Sequence, residues 1–453
     1  MKLSSLFEDR QFFRSLFVLA IPIMLQNLVN SMINLLATVM VGRLGTVEIA
    51  AVGLGNQIFF LYQLFLFGVC SGGSIFTAQF WGKGDIAGIR KTLGFCVTLS
   101  SIWAVLFTLA AVIIPDKLIG FYSKDEEVIM AGAAYLRILA FSFFPFALSF
   151  AFVLSLRSVE KVRLAFVSTG IALGINAVLS YFFIFGIGPV PAMGVTGAAL
   201  ATVISRLFEA VFVVSVSYAK KYVLAGSLGE FLGFNRYFAR QFFKISLPVM
   251  FNEILWSTGV TMQSVIFART NTDAIAAFNI VNTVSQLTWV LFLGLGNGVA
   301  VMIGKKIGER NEETARDYAS GIARFAPVLA VGAAMILFPL SRLLPFVFKV
   351  YPETIRNALQ MFIILCCVYP FRAFNMVMII GICRAGGDTV FCVIYDVAAM
   401  WLITLPIAAF AAFTLHAPVW LIYLCICSED SIKSLLGIWR LRSGKWLHNV
   451  TGY

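Results

Sequence analysis

The sequence predicts an all-α membrane protein, with twelve transmembrane helices in two six-helix lobes related by a pseudo-two-fold axis along the membrane normal. Three observations carry this. Of 453 residues, 60% are hydrophobic and only 12% charged, whereas soluble domains have about 25% charged residues. Twelve apolar runs are each long enough for a span of about 20 residues. The chain also repeats at one constant offset in residue number (248 − 22 = 226). Pro22 then falls on Pro248, Arg43 on Arg269, Thr46 on Thr272, Gly68 on Gly294, Gly72 on Gly298 and Arg90 on Arg316. At an offset one larger, Arg157 meets Arg384 and Arg206 meets Lys433. Six helices per copy keep both copies in one orientation, which gives parallel repeats with a cleft between them as the natural substrate position.

The runs lie near 15–39, 48–78, 92–114, 131–155, 164–186, 193–218, 242–268, 274–304, 319–341, 358–382, 389–414 and 417–439. The first carries Asn27, Asn30, Ser31, Asn34 and Thr38 at spacings of three and four, hence on one face. Lipid cannot satisfy such a stripe, so it faces protein or water. The second is long and carries Asn56, Gln57 and Gln63, with Gly68, Gly72 and Gly73 interrupting it. The third and ninth are spans by length. The fourth holds Phe141, Phe143 and Phe144, suited to an aromatic pocket lining or to ordinary packing. The fifth carries Asn176. The sixth carries Arg206 and Glu209, three apart, which can neutralise each other.

The longest polar connection, 219–241, separates an N-terminal lobe (1–218) from a C-terminal lobe (242–453) and reads as a cytoplasmic linker. The seventh run contains Glu253, with Trp256, Ser257 and Ser264 on the same face. A carboxylate at that depth costs roughly 2.5–3.5 kcal/mol. The eighth run presents Asn279, Asn282, Thr283 and Gln286 on one face, and Gly294, Gly296 and Gly298 interrupt it. The tenth holds Arg372 and Asn375, the eleventh Asp396, and the twelfth Glu429, Asp430 and Lys433. Glu429 and Asp430 have Lys433 as a local partner. Arg372 has no acid close in sequence, and neither Glu253 nor Asp396 has a base close by. Arg372 is thus a candidate partner for Glu253; the other reading is a site that holds a cation or proton. Interhelical hydrogen bonding alone would also account for any single Asn, Ser or Thr.

The net charge of +12 is explained by orientation rather than by a nucleic-acid partner. Of the 34 Lys and Arg, seven fall on predicted outside segments (Arg43, Lys117, Lys124, Arg269, Arg342, Lys349, Arg356) and three within spans (Arg137, Arg206, Arg372), leaving 24 inside. The bias places both termini in the cytoplasm. The polar first ten residues and the full first span give no cleavable signal peptide. The eight Cys lack the spacing of a disulfide framework or zinc site and read as small apolar residues. No HExxH, Walker A or Gly-rich phosphate loop is present. An enzyme is therefore not expected, no cofactor is expected, and an ion gradient is the available energy source.

Met40-Val41-Gly42-Arg43-Leu44-Gly45, followed by Ala50-Ala51, resembles the end of the first helix and start of the second in multidrug and toxic compound extrusion (MATE) transporters. Asn176, Ile184-Phe185-Gly186, Gly194-Val195-Thr196-Gly197-Ala198-Ala199 and Arg384-Ala385-Gly386-Gly387-Asp388-Thr389 are similar too. So are Trp401, Pro406 and the ending Arg442-Ser443-Gly444-Lys445-Trp446. The resemblance covers essentially the whole chain. It implies alternating access and antiport of organic cations against Na⁺ or H⁺, from a bacterial cytoplasmic membrane and by a monomer. Two positions where the family often has acids are Ala37 and Ser180 here, and an acid of the tenth helix is replaced near Arg372 to Asn375. The acid of the seventh helix matches Glu253. Coupling is therefore expected in the second lobe, at Glu253, Asn279, Asn282 and Asp396, with any Na⁺ at Glu253. Asn27, Asn30, Asn34, Trp256, Ser257, Gln286, Arg372 and Asn375 are expected to line the cavity. The alternatives are a lipid-linked precursor flippase of related architecture and a non-transporting receptor.

Overall fold

The computed structural model describes residues 10–186, 191–347 and 350–452. Among them run twelve long helices: α1 Arg10–Gly42, α2 Thr46–Lys83, α3 Ile86–Ile113, α4 Glu126–Ser158, α5 Val162–Phe185, α6 Gly194–Ala219, α7 Arg236–Thr270, α8 Thr272–Gly308, α9 Glu312–Leu340, α10 Pro352–Arg384, α11 Thr389–Phe413 and α12 Val419–Ser443. Ten are long and apolar enough to cross a membrane by length and composition. The other two, α7 and α12, have the length but carry the polar residues around Glu253 and the Glu429–Asp430–Lys433 group. The molecule is a multi-pass membrane protein.

Starts and stops follow local chemistry. Asp85 caps α3 by accepting from the Gly88 amide at 2.8 Å, and Asn311 caps α9 by accepting from Thr314 at 3.2 Å. Each takes up an amide that the first turn leaves free. The two caps keep the offset of the repeat (311 − 85 = 226), which is thus visible in the geometry. The last turns of α10 (Val377–Arg384) and the middle of α11 (Ile394–Thr404) are π-helical. Such widened turns recur at functional sites.

The chain forms two compact units. One, the N-unit, is Leu25–Met250; the other, the C-unit, comprises Met1–Met24 with Phe251–Tyr453. Both boundaries fall inside helices, after Met24 of α1 and Met250 of α7, again at equivalent positions of the repeat (250 − 24 = 226) and just beyond Pro22 and Pro248.

In the N-unit, Tyr62 of α2 donates to the Phe143 carbonyl of α4 at 2.7 Å, and their rings stack at 4.8 Å. The core around them includes Met40, Ile58, Leu66 and Leu139. In the C-unit the equivalent positions, Thr288 and Tyr369, join their hydroxyls at 2.5 Å. The glycines expected to interrupt α2 and α8 do not break either helix. They give close crossings instead. A Cβ on Gly72 would lie 2.8 Å from the Ser246 Cα, and one on Gly298 would lie 3.3 Å from the Ala20 Cα. The 219–241 connection is built rather than loose. Leu228–Phe231 forms a helical turn with a Ser227–Glu230 capping box, and Arg90 of α3 bonds the Val223 carbonyl at 3.0 Å and Glu230 at 2.6 Å. The Ser227 amide, then Arg90, hold the Glu230 carboxyl below its ordinary range.

Candidate functional site

The C-unit contains a chain of charged side chains on α7, α10, α11 and α12. Glu253 of α7 accepts from Arg384 Nη2 at 2.5 Å. Arg384 is the last residue of the π-helical end of α10 and is 5% exposed. The Arg384 Nε and Nη1 groups are buried and make no hydrogen bond among the described residues. Next to Glu253, Asn252 donates Nδ2 to Asp396 Oδ2 at 3.0 Å. Asp396 Oδ1 accepts from Lys433 Nζ at 2.5 Å, and the same ammonium also contacts Glu429 Oε1. At the residue after Glu429, Asp430 Oδ2 accepts from Arg372 Nε at 3.1 Å, and Arg372 Nη1 donates to Ser285 of α8 at 3.1 Å.

Asn375 donates to the Asp430 carbonyl at 2.8 Å and accepts from the Tyr395 hydroxyl at 2.6 Å and from Ser434 at 3.1 Å. Each of these charges would be prohibitive alone in a low-dielectric interior, so the pairing is what permits the cluster.

By sequence Arg372 is one candidate partner for Glu253, beside the reading of a site that holds a cation or proton. The structure assigns Arg384 to Glu253 and Arg372 to Asp430. In the Lys and Arg distribution Arg384 reads as a basic residue of an inside segment. The widened last turns of α10 keep it in the helix and bury it. Asp396 likewise has a base, Lys433, 37 residues on. Local spacing does not bring Arg384, Asn252 and Lys433 into one cluster, and the only signal toward it is the repeat, which sets Arg157 opposite Arg384 and Arg206 opposite Lys433.

The other expected site residues are more dispersed. Trp256 stacks on Trp289 at 6.2 Å with 13° between planes. Ser257 is half-buried. Asn279 and Gln286 are exposed on α8 and Asn282 is half-buried. None of these three makes a side-chain hydrogen bond to Glu253 or Asp396 among the described residues. Asn27 and Asn30 belong to the N-unit and are half-buried. The Asn34 side chain lies outside the described residues.

The N-unit repeats the arrangement with different chemistry. Gln26 of α1 stands where Asn252 does (252 − 26 = 226), and Thr169 of α5 where Asp396 does (396 − 169 = 227). Gln26 accepts from Arg157 at 2.5 Å and donates to Thr169 at 2.7 Å. Thr169 donates to Glu209 at 2.8 Å, and Arg206 closes on Glu209 at 2.8 Å, the local pairing read from the sequence. The Arg206 guanidinium also lies 4.7 Å over the Phe146 ring. Thus, among the described residues, the N-unit cluster has one buried acid, Glu209, paired with Arg206, and the C-unit cluster is rich in acid.

Comparison with known proteins agrees with this layout. The MatE family model matches residues 22–182 and 248–410, two segments whose starts, 22 and 248, keep the offset of the repeat. A probable multidrug resistance protein NorM of Thermotoga maritima is 25% identical over 441 residues, 96% of this chain and 93% of that protein. A probable multidrug resistance protein YoeA of Bacillus subtilis is 25% identical over 401 residues, covering 87% and 86% of the two chains. A MATE crystal structure in complex with MaL6 superposes with a TM-score of 0.86 at 19% identity, over 95% of this chain and 96% of that one. The chain belongs to the MatE family.

Proposed function

We propose that this MatE-family chain is a secondary active exporter of organic cations, working by alternating access as an antiporter against H⁺ or Na⁺. The observation that carries the reading is the charged cluster of the C-unit. A gradient-driven carrier needs a group whose charge state changes inside the membrane, and the buried carboxylates of this cluster, which include Glu253, Asp396 and Glu429, supply the acids from which it is drawn. Two relatives that bear multidrug-resistance names support the substrate class. The ion works by binding one conformation better than the other; only that difference can shift the equilibrium. Within the C-unit, Trp256 and Ser257 of α7 and Asn279, Asn282 and Gln286 of α8 offer polar and aromatic contacts for a flat cation. Asn27 and Asn30 offer polar contacts of their own in the N-unit. We place the chain in a bacterial cytoplasmic membrane with both termini inside, as a monomer. A flippase for a pyrophosphate headgroup would need free cationic residues, but Arg372 and Arg206 are both engaged by carboxylates.

The test is ethidium efflux from reconstituted vesicles with pH and Na⁺ gradients imposed separately. One of the two gradients should drive efflux. Flux indifferent to both would overturn the reading.

A further inference from the structure

We propose that the exchangeable ion of the C-unit is a proton and that its seat is Glu429 of α12. The proposal rests on the export reading above and on a charge inventory. Among the contacting groups of α7, α10, α11 and α12, Glu253 is balanced by Arg384 and Asp430 by Arg372. Asp396 and Glu429 share one base, Lys433. All three members of that last group are buried, at 6%, 7% and 4% exposure. One carboxylate is therefore in excess where an unpaired charge is most costly, and such a group takes up a proton or a cation.

The hydrogen bonds decide which acid takes it. Asp396 accepts at both oxygens, from Lys433 and from Asn252, so a proton on either oxygen would displace an existing bond. Glu429 accepts at Oε1 alone. Its Oε2 receives no donor among the described residues, so a proton added there costs no existing bond. A metal cation fits less well. Lys433 Nζ already occupies the space between the two carboxylates, and a second positive charge beside it would be repelled. No group of three or more metal-binding side chains occurs among the described residues.

The charged neighbours that face Glu429 are Lys433 and Asp430 on its own helix and Asp396 on α11. Arg372 on α10 is held by Asp430, and Tyr395 on α11 and Cys427 on α12 lie within electrostatic reach of the cluster. Protonation converts the Glu429 carboxylate to the neutral acid and takes the Asp396–Lys433–Glu429 group from one net negative charge to zero. Loss of that proton leaves the negative charge uncompensated. Among the described residues of the N-unit the equivalent cluster carries no such excess, because Thr169 stands at the position of Asp396 and the buried acid Glu209 is held by Arg206.

The test has two independent arms. Infrared spectra of the reconstituted protein at neutral pH should contain a protonated-carboxyl stretch that Glu429→Gln removes. Asp396→Asn should remove it too, since Lys433 then balances Glu429. The charge-neutral double variant Glu253→Gln with Arg384→Gln should keep it, and Lys433→Met should add a second protonated carboxyl. Persistence of the band in Glu429→Gln, or its loss in the double variant, would overturn the assignment. In vesicles, Glu429→Gln should lose the pH-driven component of ethidium efflux while still exchanging ethidium down its own gradient. Full pH-driven efflux in that variant would remove Glu429 from coupling. Absence of gradient-driven flux in the unmodified protein would instead sink the export reading, and the infrared arm would still decide where the proton sits.

Discussion

At the scale of single residues, Glu253 is the instructive case. Its position in an apolar run marks it as expensive, and the sequence shows that cost plainly. The sequence does not show who offsets it, because the partner lies 131 residues away and looks like a loop arginine. Local spacing finds partners within a turn, as with Arg206–Glu209 and Lys433–Glu429, and fails for pairs made by tertiary packing. Arg384 and Asn252 were within reach only through the repeat, which sets Arg157 and Gln26 opposite them. The pairing changes what a substitution at Glu253 means. Glu253→Gln leaves the Arg384 guanidinium, 5% exposed, without its carboxylate. Breaking a buried pair this way costs about 3–5 kcal/mol, whereas removing both charges is far milder. The single variant should therefore melt well below the parent in detergent, and adding Arg384→Gln should recover most of the loss. If the single variant melts like the parent, the pair contributes nothing to stability.

At the scale of elements, length and apolar runs place all twelve helices, because a span needs a fixed number of apolar residues, with ends that miss by up to seven residues (319 − 312 = 7 at the start of α9) where a helix extends beyond its apolar run. The repeat was legible too, and it extends to details no periodicity shows, such as the Asp85 and Asn311 caps. The role of the glycines was not legible. Gly72 and Gly298 read as interruptions, since glycine in a helix is weakening on average. In the structure they are points of contact, where α2 meets Ser246 and α8 meets Ala20. The two crossings are equivalent by sequence but not equally tight. A Cβ at Gly72 would lie 2.5 Å from the Ser246 Cβ, but the nearest atoms at Gly298 are 3.2 Å away. Replacing glycine by alanine gains roughly 1 kcal/mol of helix propensity, and overpacking costs about 1–3 kcal/mol. Gly298→Ala should be close to neutral and Gly72→Ala clearly destabilising. Paired melts of the two variants check this, and equal melting temperatures would show that the N-unit crossing relaxes freely.

At the scale of the molecule, two motifs that carried the family resemblance separately turn out to hold each other. The Arg384–Thr389 turn and the ending after Arg442 lie far apart in the chain, so neither explains the other in the sequence. In the C-unit, Trp446 is 1% exposed, and the backbone at Gly386 approaches so closely that a Cβ there would collide with the Trp446 carbonyl. His448 donates its amide to the Gly386 carbonyl at 2.8 Å, and Gly387 and Leu447 form an antiparallel bridge. Arg440 adds an ion pair to Asp388 at 2.7 Å. The tail thus ties the end of α12 to the turn that directly follows Arg384, and through it to the ion pair with Glu253. Trp446→Ala should cost about 3–5 kcal/mol for the emptied volume. Its effect should not stop at stability. With the turn loosened, amides of residues 384–388 should exchange hydrogen faster while those of the N-unit keep their protection. Exchange measured by mass spectrometry on the purified protein distinguishes the outcomes. Unchanged exchange at 384–388 would mean that the turn holds Arg384 without help from the tail.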